Sequence, residues 1–294
     1  MQTKALVIIN PNSGQKMGKR FLSDILQIFC STSWQCSVYV TSKSGEAQEV
    51  VASQGSEFDN VICIGGDGTF NEVVSGVVSN NLKVKIGYIP SGSTNDFANS
   101  LKLSKNLITA AKNIVSGNES YFDTCSFNGR IFTYVASFGA FTKASYATPQ
   151  NIKNALGHLA YILSGIIEIG KIKPIHIKLT VDDEHFEDDY IFGAVCNSTS
   201  LGGVLSLDKN IVDMNDGLFE VLLIKAPKNI AELNECIVAL TSQNYNNKML
   251  VFKSCNKAEF HMPKGVEWSL DGEYEKGSKN VIIQNLHNSI CVLK

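Results

Sequence analysis

Up to residue 123 the apolar positions come in short uncharged runs, separated by stretches with helical spacing. Lys4–Ile9, Gln35–Val40 and residues 61–64 and 85–89 each read as a strand, Lys4–Ile9 and 61–64 as buried ones. Between them Phe21, Leu22, Ile25, Leu26 and Ile28 recur at helical intervals, as do Val73, Val74, Val77 and Val78 after Phe70. Another helix is expected after Thr41-Ser42-Lys43-Ser44-Gly45-Glu46-Ala47. Strand and helix alternating at this pace predict a mostly parallel sheet with helices on both faces.

Near Asp123 the pattern changes. Residues 124–136, 176–179, 190–196, 218–224 and 281–283 read as strands. A single helix is expected among them, over 150–170, with Leu156, Leu159, Ala160, Leu163, Ile166 and Ile167 on one face. This half is expected to be a second, mainly antiparallel domain.

The turns carry the candidate chemistry. The run 61–64 leads directly into Gly65, Gly66, Asp67 and Gly68, and the helix that follows contains Thr69 and Glu72 at the spacing of a capping box. Strand, glycine turn and helix N-terminus in that order make an anion site, because first-turn N–H groups and the helix dipole favour negative charge. A plain tight turn has the same pattern. Asp67 tips the balance: a carboxylate among phosphate-binding amides needs a cation or a hydroxyl donor beside it. Asn10-Pro11-Asn12-Ser13-Gly14 ends the first strand and would lie at the strand ends of the same sheet, where α/β ligands bind. The glycines at 14 and 18 do not form a P-loop: three residues separate them, and Arg20 stands where Ser or Thr would hold magnesium.

In the second half, Asp213 and Asp216 stand three apart, with Gly217 bending the chain and a free carbonyl expected at Leu218. Hard oxygen ligands in a turn suit Mg²⁺, but the residues alone favour a plain acidic turn before a strand. Asp271-Gly272-Glu273 follows the apolar run 266–270; paired acids at a strand end are most often a solvated turn.

Composition narrows the classes. The 294 residues are 44% hydrophobic and 18% charged, enough for one large domain or two modest ones. A net charge of −2 argues against a nucleic-acid partner. Five histidines lack metal spacing, and eight cysteines include no Cys-x-x-Cys pair, which suits reduced thiols in a cytoplasmic protein. No signal peptide is expected, since Lys4 leads at once into a strand and a polar loop.

The block Gly65-Gly66-Asp67-Gly68-Thr69 resembles one shared by diacylglycerol-type lipid kinases, sphingosine kinases, NAD kinases and phosphofructokinases. Pro90-Ser91-Gly92-Ser93-Thr94-Asn95-Asp96-Phe97-Ala98 narrows this to a resemblance to the bacterial diacylglycerol kinase family of lipid kinases. Further family-like segments follow in order at 138–142, 145–149, 156–161, 197–198, 202–203, 216–221 and 271–273. One stretch departs: after 202–203 the family's Pro-x-Ala step is replaced by Leu205-Ser206-Leu207-Asp208-Lys209-Asn210.

The resemblance implies an NAD-kinase-like α/β nucleotide domain over 1–123 and a β-sandwich domain over 124–283, with a final strand over 284–294 returning to the first. It implies ATP as phosphate donor, a membrane lipid alcohol such as diacylglycerol as acceptor, and Mg²⁺ both with ATP and at a structural site. ATP contacts would fall on Asn10, Pro11, Asn12, Ser13 and Gly14, on Thr41, on Gly66, Asp67, Gly68, Thr69, Phe70, Asn71 and Glu72, and on Thr94. Glu273 would be the general base, facing the cleft between domains, and Asp67 would act at the phosphate and metal. Asp213, Asp216 and Leu218 would hold the structural Mg²⁺. Rival readings are an NAD kinase, a sphingoid or phosphatidylglycerol kinase, and a non-catalytic lipid-binding regulator. The apolar face of 150–170 with Lys143, Lys153, Lys171 and Lys173 is expected to meet an anionic membrane from its inner, cytoplasmic side. A homodimer is left open.

Overall fold

The computed structural model describes residues 2–14, 16–140, 173–201, 205–208 and 210–294. The expected helix over 150–170, with Lys143, Lys153, Lys171 and the family-like segments at 145–149, 156–161 and 202–203, lies outside the described residues. The chain divides into two compact units, residues 1–124 with 286–294, and residues 125–285.

The first unit runs β1 (Lys4–Ile9), α1 (Met17–Ser31), β2 (Gln35–Val40), α2 (Glu46–Gln54), β3 (Asn60–Gly65), α3 (Asp67–Ser79), β4 (Lys85–Pro90), α4 (Asp96–Ser100) and α5 (Leu107–Ser116). Its sheet is parallel, in the order β4-β3-β1-β2, and residues 291–293 of the last strand add to the free edge of β4. Side chains of a strand alternate between faces. Ala5, Val7 and Ile9 therefore share one core with Ile25 and Phe29 of α1 and Ala110, Ala111 and Ile114 of α5. α2 and α3 pack against each other. The helix over Leu107–Ser116 is additional to the expected elements; Asn106 caps it by accepting the Thr109 N–H at 3.0 Å, and Gly117 ends it in the left-handed region.

One expectation about a helix start is corrected. α3 begins at Asp67, so Thr69 lies inside its first turn and cannot cap it; Gly66 occupies the cap position without a side-chain bond. Glu72 faces a different helix. Its carboxylate accepts the N–H groups of Gly45 at 2.8 Å and Ala47 at 3.2 Å and the Ser44 hydroxyl at 3.1 Å, and so caps α2. Asn95 likewise precedes α4 without capping it, because its amide is committed to Gly92 through two bonds of 2.9 Å.

The second unit contains β6 (Arg130–Phe132), β7 (Val135–Gly139), β8 (Ile175–Val181), β9 (Glu184–Cys196), a short pair β10 (Ser200–Leu201) and β11 (Leu205–Ser206), β12 (Phe219–Lys225), α6 (Ile230–Thr241), β13 (Leu250–Cys255), β14 (Lys257–His261), β15 (Glu267–Leu270) and β16 (Glu273–Lys276). β5 (Glu119–Phe127) begins in the first unit and ends here, and β17 (Asn280–Leu293) begins here. Among the described residues the strand pairs of this unit are antiparallel. Phe127, Phe138, Phe260 and Trp268 interlock in its core, with Phe138 4.6 Å and Phe127 4.9 Å from Trp268 between ring centroids.

Two readings of this half change. The single strand expected over 124–136 is broken, because Asn128 and Gly129 take φ of 48° and 94°, the two left-handed positions of a type I′ hairpin that pairs Phe127 with Arg130. A helix not among the expected elements lies in this half: Ile230–Thr241, capped by Asn229, whose Oδ1 accepts the Glu232 N–H at 2.9 Å. Asn229 and Glu232 stand three apart, a capping signature legible in the sequence. Among the described residues no helix is long and apolar enough to cross a membrane.

Candidate active site

In a parallel sheet all strands end on the same edge, so the loops after β1, β2, β3 and β4 lie side by side in the order of their strands. β1 leads outward to β2, and the chain then crosses back to β3; the loops after β1 and β3 therefore diverge at the point where α/β ligands bind. Hydrogen bonds lock this edge. The Asn10 N–H donates to the Ile64 carbonyl at 3.0 Å, and its side-chain amide donates to Thr69 Oγ1 at 3.1 Å. The Ser91 N–H donates to the Gly65 carbonyl at 2.8 Å, and the Ser13 and Ser91 hydroxyls meet at 2.7 Å.

Glycines let these loops close on one another. A Cβ at Gly14, which has φ of 50°, would come within 2.4 Å of the Ser91 carbonyl oxygen. One at Gly92 would come within 2.6 Å of the Gly66 Cα. The result is a rim of backbone, with the first turn of α3 opening onto it; such first-turn N–H groups lack intrahelical acceptors.

Asp67 is held in place by the next loop. Its carboxylate accepts the N–H of Asp96 at 3.0 Å and of Phe97 at 3.3 Å, the first two residues of α4. Phe70 is fully buried and stacked on Tyr88 and Phe97, so its side chain forms the floor of the rim. Thr41 is buried too, its hydroxyl donating to the Ile9 carbonyl at 3.3 Å, whereas Asn12 and Thr94 are exposed. The residues expected to touch ATP thus gather along one edge of one sheet. Their side chains divide between those that face outward and those that build the wall. Ser91 and Asn95, which are not among the expected ATP contacts, join the wall.

In the second unit, Asp271 and Gly272 take φ of 49° and 87° and form a type I′ turn that pairs Leu270 with Glu273. Asp271 is not solvated. It is buried, and its two oxygens accept the N–H groups of Thr133 (2.6 Å), Tyr134 (3.0 Å) and Val135 (3.0 Å) and the Thr133 hydroxyl (2.7 Å). Burial holds its pKa above the usual carboxylate value, against the downward pull of these donors. Glu273 emerges on the other side of the turn, half-exposed, with Oε2 accepting Arg130 Nη2 at 2.7 Å. Arg130 carried no signal by itself in the sequence; the Asn-Gly dipeptide before it was the clue.

Asp213 and Asp216 are exposed, each folded back on its own loop, Asp213 Oδ1 accepting the Asn215 N–H at 3.0 Å and Asp216 Oδ1 the Leu218 N–H at 2.8 Å. The Leu218 carbonyl is not free: it accepts the Asn285 amide at 2.8 Å, leaving one lone pair. Two residues further on, Glu220 is buried, with one oxygen unpartnered. Burial, with the charges of Asp216 and Asp213 adding to it, pushes its pKa up to about 8. Asp213 and Asp216 load this loop with negative charge, which suits a hard cation that keeps most of its waters, while Glu220 at the start of β12 adds none where it is protonated. Among the described residues there is no group of three or more acidic, histidine or cysteine side chains converging on one point.

Residues 4–127 match the family described as the diacylglycerol kinase catalytic domain, and residues 135–281 match the YegS C-terminal NAD kinase beta sandwich-like domain. A diacylglycerol kinase of Bacillus subtilis (strain 168) is 31% identical over 274 residues, spanning 92% of this chain and 90% of that protein. One of Staphylococcus epidermidis (strain RP62A) is 30% identical over 279 residues, 93% of this chain and 87% of that one. In fold, the chain is similar to a crystal structure of a diacylglycerol kinase of Bacillus anthracis, with a TM-score of 0.75 at 20% identity, over 99% of this chain and 96% of that one.

Proposed function

The chain belongs to the bacterial diacylglycerol kinase family and is a lipid kinase; from that premise we propose that it transfers the γ-phosphoryl group of ATP to the hydroxyl of diacylglycerol. One observation carries the nucleotide half of this reading. The loops after β1, β3 and β4 close into a glycine-lined rim of backbone at the N-terminus of α3, where a phosphate chain finds N–H donors. The first unit is then the nucleotide-binding domain, and the second contributes the lipid site, the metal site and the base.

Asn10, Pro11, Asn12, Ser13 and Gly14 cradle the phosphates with Gly66, Gly68 and Thr69, and Thr94 contacts the nucleotide from the next loop. Phe70, Asn71, Glu72 and Thr41 hold that surface in shape. Asp67, fixed by α4, keeps its charge close to the phosphates. Glu273 orients the lipid hydroxyl by accepting its hydrogen bond and takes the proton as the new O–P bond forms. Phosphoryl transfer passes through a loose transition state, so such positioning carries most of the catalysis. Asp213, Asp216 and the second lone pair of the Leu218 carbonyl would hold Mg²⁺, which when bound supplies positive charge to an acidic loop.

The protein meets its substrate from the inner face of the membrane, drawn by anionic headgroups to exposed lysines such as Lys173. The test is transfer of label from γ-labelled ATP to a panel of diacylglycerol, phosphatidylglycerol, sphingosine and NAD. Labelled phosphatidic acid is the expected product. Label confined to sphingosine or NAD would overturn the reading.

A further inference from the structure

Glu273, Tyr274 and Glu275 open β16, and alternate residues of a strand share a face. Both carboxylates accordingly turn to one partner. Arg130 Nη2 donates to Glu273 Oε2 at 2.7 Å, and Nη1 donates to Glu275 Oε2 at 2.6 Å. The two sides of this clamp are built alike. Arg130 is the first residue after the Asn128-Gly129 turn, and Glu273 is the first after the Asp271-Gly272 turn. The second turn is pinned from within by the bonds of Asp271 to Thr133, Tyr134 and Val135.

A stability role does not account for this arrangement. The three side chains are between a quarter and a half exposed, and ion pairs at such exposure add little to stability. What a planar guanidinium provides is direction: its donors are fixed in a fork, and it stays charged throughout. With Oε2 occupied, Glu273 Oε1 carries no hydrogen bond among the described residues.

Resting on the assignment of Glu273 as the base, we propose that Arg130 is a positioning residue for it. The guanidinium holds Oε2 and thereby presents Oε1 to the lipid hydroxyl. As the hydroxyl oxygen bonds to the γ-phosphorus, the bond from that phosphorus to the bridging oxygen breaks and its electron pair leaves with ADP. The hydroxyl proton passes to Oε1 and from there to water. Glu275 keeps the guanidinium anchored while Glu273 is neutral, so the base returns to the same place for the next turnover.

The test is a double-mutant cycle on the full chain with diacylglycerol in mixed vesicles. Arg130→Ala is expected to lower kcat by about 10- to 100-fold, the scale of a misplaced reacting group, while the KM for ATP stays put. Arg130→Lys keeps the charge but cannot hold two carboxylates, and is expected to recover part of that loss. It also carries the test should Arg130→Ala fail to fold. In a Glu273→Gln background, the Arg130 substitutions are expected to cost nothing further, since no base remains to be positioned. Losses that multiply in full across the two sites would overturn the proposal, as would Arg130→Ala and Arg130→Lys enzymes with wild-type kcat. If instead Glu273→Gln alone retains wild-type kcat, the base assignment falls and the clamp with it. An impaired Glu273→Gln enzyme beside unimpaired Arg130 variants would leave the base standing and remove only the clamp.

Discussion

The carboxylate of Asp67 accepts the backbone N–H of Asp96 at 3.0 Å and so caps a helix that starts 29 residues further along the chain. The acid of the glycine turn therefore has two tasks, to hold α4 and to serve the phosphate site. Asp67→Ala should lose both: about 1 kcal/mol of stability, the usual worth of a helix cap, together with turnover. Asp67→Asn keeps one of the two acceptor oxygens but not the charge, and should lose less stability than Asp67→Ala in urea denaturation while turnover falls. Equal turnover in the Asp67→Asn variant and the wild-type enzyme would show that the charge plays no part.

Asp271 presents a separate test, because its bonds are buried. Truncation to alanine leaves the N–H groups of Thr133, Tyr134 and Val135 without acceptors. Each buried donor left unsatisfied costs about 1–3 kcal/mol, so Asp271→Ala should destabilise the protein by at least about 3 kcal/mol. The measurement is the urea midpoint at unchanged slope. A shift below about 1 kcal/mol, on the order of a surface change, would contradict the burial of this turn.

For Glu273, glutamine keeps the size and one acceptor oxygen but cannot take a proton. General-base assistance is worth roughly 10²–10⁴ in rate, and Glu273→Gln should lower kcat by that factor with ATP binding unchanged. A variant within a few-fold of wild type, with chemistry shown to be rate-limiting, would falsify the assignment.

Magnesium can be tested without catalysis. If the loop carrying Asp213 and Asp216 binds Mg²⁺, adding the ion in the absence of ATP should raise Tm, as any ligand of the folded state does. Asp216→Ala should abolish that shift. A mutant with the full magnesium-dependent shift would mean that the acidic loop is only a loop.

Membrane attraction predicts a salt effect. Activity on diacylglycerol should rise with the anionic lipid content of the vesicles and fall at high ionic strength, since surface charges are screened within about 8–10 Å in such buffers. Equal rates on neutral and anionic vesicles would exclude the electrostatic contribution.

The inner strands of the first unit, Lys4–Ile9 and Asn60–Gly65, were legible in the sequence because a parallel strand covered on both faces writes itself as an apolar run, whereas the edge strand Gln35–Val40 is largely exposed and mixes polar with apolar residues. The glycine turn after 61–64 was legible for a related reason: glycine is the one residue that admits close backbone approach, and Gly66 and Gly92 do approach. Local grammar also existed where it was overlooked, in Asn128-Gly129 for a hairpin and in Asn229 with Glu232 for a helix start.

Partner choice was not legible. Thr69 and Glu72 have the spacing of a capping box, yet Glu72 caps α2 and Asp67 caps α4, because each carboxylate goes to whichever orphan N–H groups the packed helices bring near. Arg130 and Glu273 stand 143 residues apart and meet only because two hairpin turns face each other across a folded unit. Spacing along the chain determines which residues can share a strand face or a helix turn. Which carboxylate finds which donor depends on distances through space, and only the tertiary structure decides those.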